Sequence, residues 1–392
     1  MTKILAYDPL DPAVLDNPYP VYAALRSAGP IFWHERMHCW VLTHYRDCQD
    51  VLRNNGVFAS DWRRIGKDVP DPQLGLQLLD PPDHGPLRSL FTNALRAQDL
   101  AGITRRAEKT AESLLNSVTA GEEFDMIHRI IAPLALSTVS DLVGIPCPAL
   151  DLYDSISDAI VRSMDAGLDP SVKSAGVAAR ARLNELVDAW FAADPRPGLL
   201  SEVTRTKVFT DLPDPYIRNT TRIVFQSGYS SIVAGAGNMM LTLLEHPGSI
   251  ERMRDPKIMS TGFEELMRYD SSVQGTSRAA TETTLIRDTV VEAGQIVLML
   301  FGSANRDPAE FQDPDTLLLD RSPNKHLSFG RGPHSCIGNL FTKIVLQVLI
   351  RTLLRHPLKL QLAGDPIRKR TATVRSLAEL PVRFIPGSRM VS

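Results

Sequence analysis

The sequence is poor in cysteine. Four occur among 392 residues, at positions 39, 48, 147 and 336. Their spacing makes no disulfide framework, which argues against a stapled secreted scaffold and for a reduced, cytoplasmic setting. It also makes no paired zinc motif. His34, His38, Cys39, His44 and Cys48 crowd one stretch, but strand alternation would divide them between two faces. An excess of either charge is missing too. The formal charge is −2 and the pI is near 6.5, so neither nucleic acid nor an anionic membrane is expected as a partner. No apolar run reaches the roughly 18 residues of a membrane-crossing helix. The opening residues, Met1 to Pro9, lack the apolar stretch of a signal peptide. No dinucleotide fingerprint is expected either. Ala234-Gly235-Ala236-Gly237 follows no strand pattern, so it is not read as a phosphate loop. Gly228-Tyr229-Ser230-Ser231-Ile232 lacks the closing glycine of a hydrolase elbow and sits in a helical pattern.

What remains is an ordinary globular composition, 43% hydrophobic and 22% charged. Length alone suggests two or three domains. A short helix fits 19–27, stopped by Gly29-Pro30. Residues 31–33 and 39–43 read as strands, and 45–53 as a helix. Residues 57–83 are irregular and proline-rich, and loops of that length are usually functional. Asp80-Pro81-Pro82-Asp83-His84 opens a helix through Ala94, on which His84 and Arg88 share a face at i, i+4. Helical periodicity continues over 101–118, 127–143, 150–166 and 172–193, with a break at 194–198. The stretch from about 215 to 246 is apolar or small nearly all round, so it should be a long buried helix. Glu265 and Arg268, at i, i+3, can pair on the next helix. Strands are expected over 284–286 and 290–300, around turns at Asp288 and Ala293-Gly294, and a final one over 380–384.

One loop carries the chemistry: Phe329-Gly330-Arg331-Gly332-Pro333-His334-Ser335-Cys336-Ile337-Gly338. A lone cysteine is most often buried packing. Here six specified positions, F-G-x-G-x-H-x-C-x-G, coincide by chance on the order of 10⁻⁸ per start site. We read Cys336 as a thiolate ligand to a heme iron, a strong electron donor that favours O–O cleavage. Such a sulfur needs shielding, which Phe329 can provide. It also needs backbone N–H groups close by, which Gly330 permits. Gly338 lets the following helix pass close to a flat ring.

This loop resembles the heme-binding loop of the cytochrome P450 family. The resemblance runs from Asn17-Pro18-Tyr19-Pro20 to Leu380-Pro381-Val382 and is of the bacterial type. It implies a mainly α fold with small β-sheets, a single domain over 1–392, and heme b (iron protoporphyrin IX) between the long helix and the cysteine loop. It implies that His84, Arg88, Arg278 and His334 hold the propionates. Glu265, Arg268 and Arg321 would form a structural trio bracing the loop. The distal box of the family falls on Ser227-Gly228-Tyr229-Ser230-Ser231-Ile232. Gly228 matches, but Ser230 stands where an acid is usual and Ser231 where a threonine is usual. Ser231 keeps a hydroxyl that donates and accepts, whereas serine exchanges protons with bulk water poorly at neutral pH.

The implied activity is a monooxygenase that activates O₂ and hydroxylates or epoxidises a medium-sized, partly polar substrate of secondary metabolism. Its pocket is expected to draw on Trp62, Arg63, Val224, Phe225, Ser227, Val273, Gln274, Thr276 and Leu377. No flavin or iron–sulfur module is present, so NAD(P)H electrons should arrive through a ferredoxin and ferredoxin reductase. Lys325, Arg331 and Lys343 flank the thiolate side and could attract that acidic partner. A monomer is expected. The serine pair leaves two alternatives open: a peroxide-driven or radical-coupling enzyme, and a heme sensor or carrier partner that does not turn over.

Overall fold

The computed structural model describes residues 7–194 and 196–386. Residues 1–6, on which the signal-peptide reading partly falls, and Pro195 in the 194–198 break lie outside the described residues. The fold is organised around one helix, Asp214–Glu245, of 32 residues, about 48 Å long at 1.5 Å per residue. Its first turn is exposed at Asp214 and Pro215, but every residue from Ile232 to Leu243 is buried. Gly228 brings it against the helix Ala132–Val143, where an added Cβ would sit 3.2 Å from Val139. Phe225 and Tyr229 pack on Tyr153 of the helix Leu150–Arg162 at 4.8 and 5.1 Å between ring centroids. Further along, Gly235 faces Met267 of the helix Pro256–Tyr269 and Leu346 of the helix Asn339–Arg355. Each fully buried side chain of this size contributes about 1.5–3 kcal/mol, so the helix is held by its surroundings rather than by local propensity.

The β-structure lies in small sheets. A five-stranded sheet runs Ile31–His34, Cys39–Leu42, Ile296–Leu300, Gly275–Ala280, Phe58–Ala59. The second and third strands are parallel, with Cys39 opposite Ile296. The third and fourth are antiparallel, with Arg278 opposite Val297. A three-stranded sheet joins Glu123–Asp125, Pro381–Pro386 and Leu358–Leu362. This arrangement brings Arg278, far along the chain, beside the segment that begins at Phe58.

Several boundaries differ from the sequence expectation. The 127–143 stretch is not one α-helix: Ile127–Ile131 is a π-helical turn leading into Ala132–Val143. Pro133 has no N–H to give to the preceding turn, and a wider turn accommodates it. The 150–166 helix ends at Arg162 and tightens into a 3-10 turn, Ser163–Asp165. The 57–83 stretch contains two 3-10 turns, Trp62–Ile65 and Asp71–Gln73. The 284–300 region follows the expected turns at Asp288 and Ala293-Gly294, giving strands Thr284–Ile286, Thr289–Val291 and Ile296–Leu300. In the His/Cys-rich stretch, His34 bonds the Tyr7 carbonyl at 2.8 Å and Cys48 the Leu42 carbonyl at 3.6 Å. No group of three or more His, Cys, Asp or Glu among the described residues is placed to hold a metal ion. No helix there is long and apolar enough to cross a membrane.

Candidate active site

The cysteine loop folds back on itself before the helix Asn339–Arg355 begins. The Cys336 amide donates to the Phe329 carbonyl at 2.8 Å, and Gly330 N–H to Leu327 at 2.8 Å. Gly332 has φ +74°, and a Cβ there would lie 2.4 Å from the Leu52 carbonyl oxygen, so only glycine lets the loop lie on the end of the helix Tyr45–Arg53. The Cys336 side chain is accessible, yet protein surrounds the sulfur closely. Burial pushes the thiol above its ordinary pKa, while the Gly338 and Asn339 amides and the Arg88 guanidinium pull it down. Gly338 lies against the sulfur, where an added Cβ would fall 3.8 Å away. Phe329 is half-buried and stacks near Phe263 at 6.3 Å.

Four basic groups from three segments, the helix His84–Arg96, the strand at Arg278 and the loop itself, converge here. His84 and His334 lie 4.2 Å apart between ring centroids. His84 Nε2 and His334 Nδ1 are buried without a hydrogen-bond partner. Burial, with the charges of His334 and Arg88, lowers the His84 pKa to about 4 despite Asp80 nearby. Arg278 is buried and donates only to the Thr276 hydroxyl at 3.3 Å and the Ser277 carbonyl at 2.7 Å. Burial lowers it to about 10. Arg88 donates to Ser335 Oγ at 3.2 Å. Asp80 is the carboxylate of the group, and it is already occupied. It accepts from His334 at 3.0 Å, Arg64 at 3.2 Å and the Ser60 and Asp61 amides. Burial works against its ionisation, but these donors hold it at about 2. Buried cations and orphaned ring nitrogens demand an anionic partner. A planar group bearing carboxylates, with a metal that takes the Cys336 sulfur, fits this donor set.

The bracing trio is assembled. Glu265 and Arg268 are fully buried and paired twice at 2.8 Å. Arg321 reaches Glu265 at 3.0 Å, as do Asn324 and, at 2.9 Å, the Leu318 amide. Arg268 also caps the Asn305 and Pro314 carbonyls at 2.8 Å. One carboxylate thus gathers the segment that leads to the loop. Residues not singled out from sequence complete the hold. Asn305 accepts from the Leu327 amide at 2.7 Å and donates to Ser271 and Ser328.

On the long helix, Ser230 donates its hydroxyl to the Gln226 carbonyl at 2.9 Å. Ser231 is half-buried, and its hydroxyl has no hydrogen-bond partner among the described residues. Gly228 packs on Val139, where an added Cβ would sit 3.2 Å away. Of the expected pocket residues, Val224, Ser227, Val273 and Thr276 are half-buried, and Trp62 is 38% exposed. Three readings need correction. Phe225 is fully buried between Tyr153 and Trp190, with no surface left for a ligand. Gln274 is buried with its amide spent on Tyr22 and the Ser271 carbonyl. Leu377 is buried against the long helix at Gly237. Arg63 is not a free cation either, since Asp61 holds it in a fork at 2.9 and 2.6 Å. Of the thiolate-side bases, Lys343 pairs with Glu264 at 3.1 Å and Arg331 bonds the His326 carbonyl.

The family model for cytochrome P450 matches residues 248–371, which hold the trio and the cysteine loop. Cytochrome P450 107B1 of Saccharopolyspora erythraea is 30% identical over 372 residues, covering 90% of each chain. Nocardicin C N-oxygenase of Nocardia uniformis is 30% identical over 389 residues, covering 95% of this chain and 97% of its own. Among solved structures, ligand-free CYP164A2 of Mycobacterium smegmatis superposes with a TM-score of 0.84 at 29% identity, over 96% of this chain and 98% of that one. The chain belongs to the cytochrome P450 family and is a heme-dependent monooxygenase with the mainly α fold of that family.

Proposed function

We propose that Cys336 is the thiolate ligand of a heme b iron, within a single catalytic domain that oxidises a natural-product scaffold with electrons from a ferredoxin and its reductase. The observation that carries this is the convergence of His84, Arg88, Arg278 and His334, short of carboxylates, beside Cys336, whose sulfur lies against Gly338 at the start of the following helix. When bound, the heme activates O₂ and delivers one oxygen atom to the substrate. The chain does the rest. The Gly338 and Asn339 amides stabilise the sulfur anion. The four basic groups neutralise the propionates and orient the ring. Phe329 keeps water from the sulfur. On the opposite face, Ser231 has a free hydroxyl to bind and orient water. Ser230 has committed its proton to Gln226 and, unlike a carboxylate, takes up none from bulk.

The ferrous protein with carbon monoxide should show the red-shifted Soret band of thiolate ligation. A Cys336→Ser chain that kept the band would refute the assignment. The Ser230 commitment favours one alternative, a peroxide-driven enzyme that needs no distal proton delivery. Turnover with H₂O₂ alone, undiminished without reductase, would select it. Label from ¹⁸O₂ in the product selects the reductase-driven route.

A further inference from the structure

Asp80, the carboxylate among the basic groups, divides its two oxygens between two parts of the molecule. Oδ1 accepts from His334 Nε2, in the cysteine loop, at 3.0 Å. Oδ2 accepts from the Ser60 and Asp61 amides at 2.9 and 3.1 Å and from Arg64 at 3.2 Å. The backbone of the same residue leads into the next helix, where the His84 amide donates to the Asp80 carbonyl at 3.2 Å. The Asp80 side chain is 1% exposed. Its bonds are therefore made away from water, where charge-assisted bonds are strong and an unmet partner is costly.

What Oδ2 holds is the segment that leaves the five-stranded sheet. Strand pairing there sets Phe58 against Ala280 and Ala59 against Ala279, and it stops at Ala59. The next two amides go to Asp80 instead of to a strand partner. Asp61 then caps the turn Trp62–Ile65, accepting from the Arg63 amide at 3.0 Å and from its guanidinium at 2.6 Å. Arg63 in turn donates to the Tyr216 hydroxyl on the long helix at 3.4 Å. Arg64 ties the turn to the Asn55 and Gly56 carbonyls at 2.8 and 2.7 Å. Trp62 and Arg63, both expected at the pocket from sequence, thus hang from the carboxylate that also fixes His334.

We infer that Asp80 is a positioning residue that couples the cofactor site to the pocket segment. It fixes the His334 ring on one side and the Trp62–Ile65 turn on the other, so that holding the heme and ordering the turn are linked. Donors that share one buried acceptor are not independent: a change at either end alters what the carboxylate offers the other. The inference rests on the reading of His334 as a residue that holds the heme, and it extends that site to a segment of the pocket.

The turn carries its own reporter, since Arg63, Arg64 and Lys67 are exposed and trypsin cleaves after each. Heme-loaded protein, with hemin in excess, is digested and the cuts over 63–67 are timed by mass spectrometry. Heme affinity is measured separately by Soret titration. His334→Ala should speed those cuts by about tenfold, although it lies in another segment. Arg64→Gln should weaken heme binding by about fivefold, although it is no part of the cofactor set. In an Asp80→Asn background both cross-effects should shrink to within about twofold. Unchanged cuts in His334→Ala, unchanged heme affinity in Arg64→Gln, or cross-effects undiminished in Asp80→Asn would overturn the inference. A merely structural Asp80 gives that last result together with a lowered melting temperature. If Asp80→Asn or His334→Ala fails to fold, Arg64→Gln alone decides. Absence of a bound-heme Soret band in the unaltered protein would fault the cofactor reading instead, and the cuts in His334→Ala would still report on Asp80.

Discussion

Arg278 and Ser231 show how much a single side chain can decide here. Arg278 is buried with only two neutral acceptors, so its replacement removes a charge that nothing else in the strand supplies. Arg278→Ala should lower heme affinity by about 10- to 100-fold, the value of one or two charge-assisted bonds. The heme-to-protein absorbance ratio after purification measures this, and an unchanged ratio would remove Arg278 from the cofactor set. Ser231→Ala should leave the carbon monoxide band intact and divert reducing equivalents to peroxide, read as product formed per NAD(P)H consumed. Ser230→Asp should raise reductase-driven turnover by about tenfold or more, since a carboxylate restores proton exchange with bulk. No change would place the relay on the substrate or on water. The His84–Arg88 spacing was legible because it is one helical turn. The His334–Asp80 contact was not, because it joins residues 254 apart.

Elements here are held at their junctions. The carboxylate of Glu265 collects two arginines, an asparagine and an amide. Glu265→Gln should destabilise the chain by about 3–5 kcal/mol, because Arg268 is left charged and buried. Denaturant unfolding, or recovery of soluble heme-loaded protein, checks this. A second junction is His128, at the π-helical turn. It bonds Asp125 at 2.5 Å, and Asp154, which holds Tyr229, lies 3.8 Å away. The Asp125 bond and then Asp154 raise its pKa to about 10, against burial. The folded state thus binds the proton more tightly than the unfolded chain. The contribution is whole below the ordinary value near 6.5 and is lost as pH rises towards about 10. Melting temperature should fall across that window, and His128→Gln should flatten the slope. Periodicity found the helices on either side of this junction. It missed the π-turn and the 3-10 turns because those depend on where a proline or a neighbouring segment interrupts the ladder.

At the scale of the molecule, the cofactor site joins segments that local structure keeps apart: the helix at His84, the strand at Arg278 and the loop at Cys336. Heme bound only by the folded chain should stabilise it by about 4 kcal/mol at a thousandfold excess over Kd. The loaded protein should therefore melt several degrees above the heme-free one, and equal melting temperatures would mean that the segments assemble without the ring. The sequence by itself determined the family and the mainly α class, and it carried the proposal that Cys336 is the proximal ligand. A thiolate's needs are met within ten contiguous residues, and a fully buried helix shows itself by lacking a polar face. Only the tertiary structure decided that Phe225, Gln274 and Leu377 are spent on packing and that Ser230 is bonded to its own helix. Those outcomes depend on which distant groups arrive within hydrogen-bonding reach, and packing, not local sequence, sets those distances.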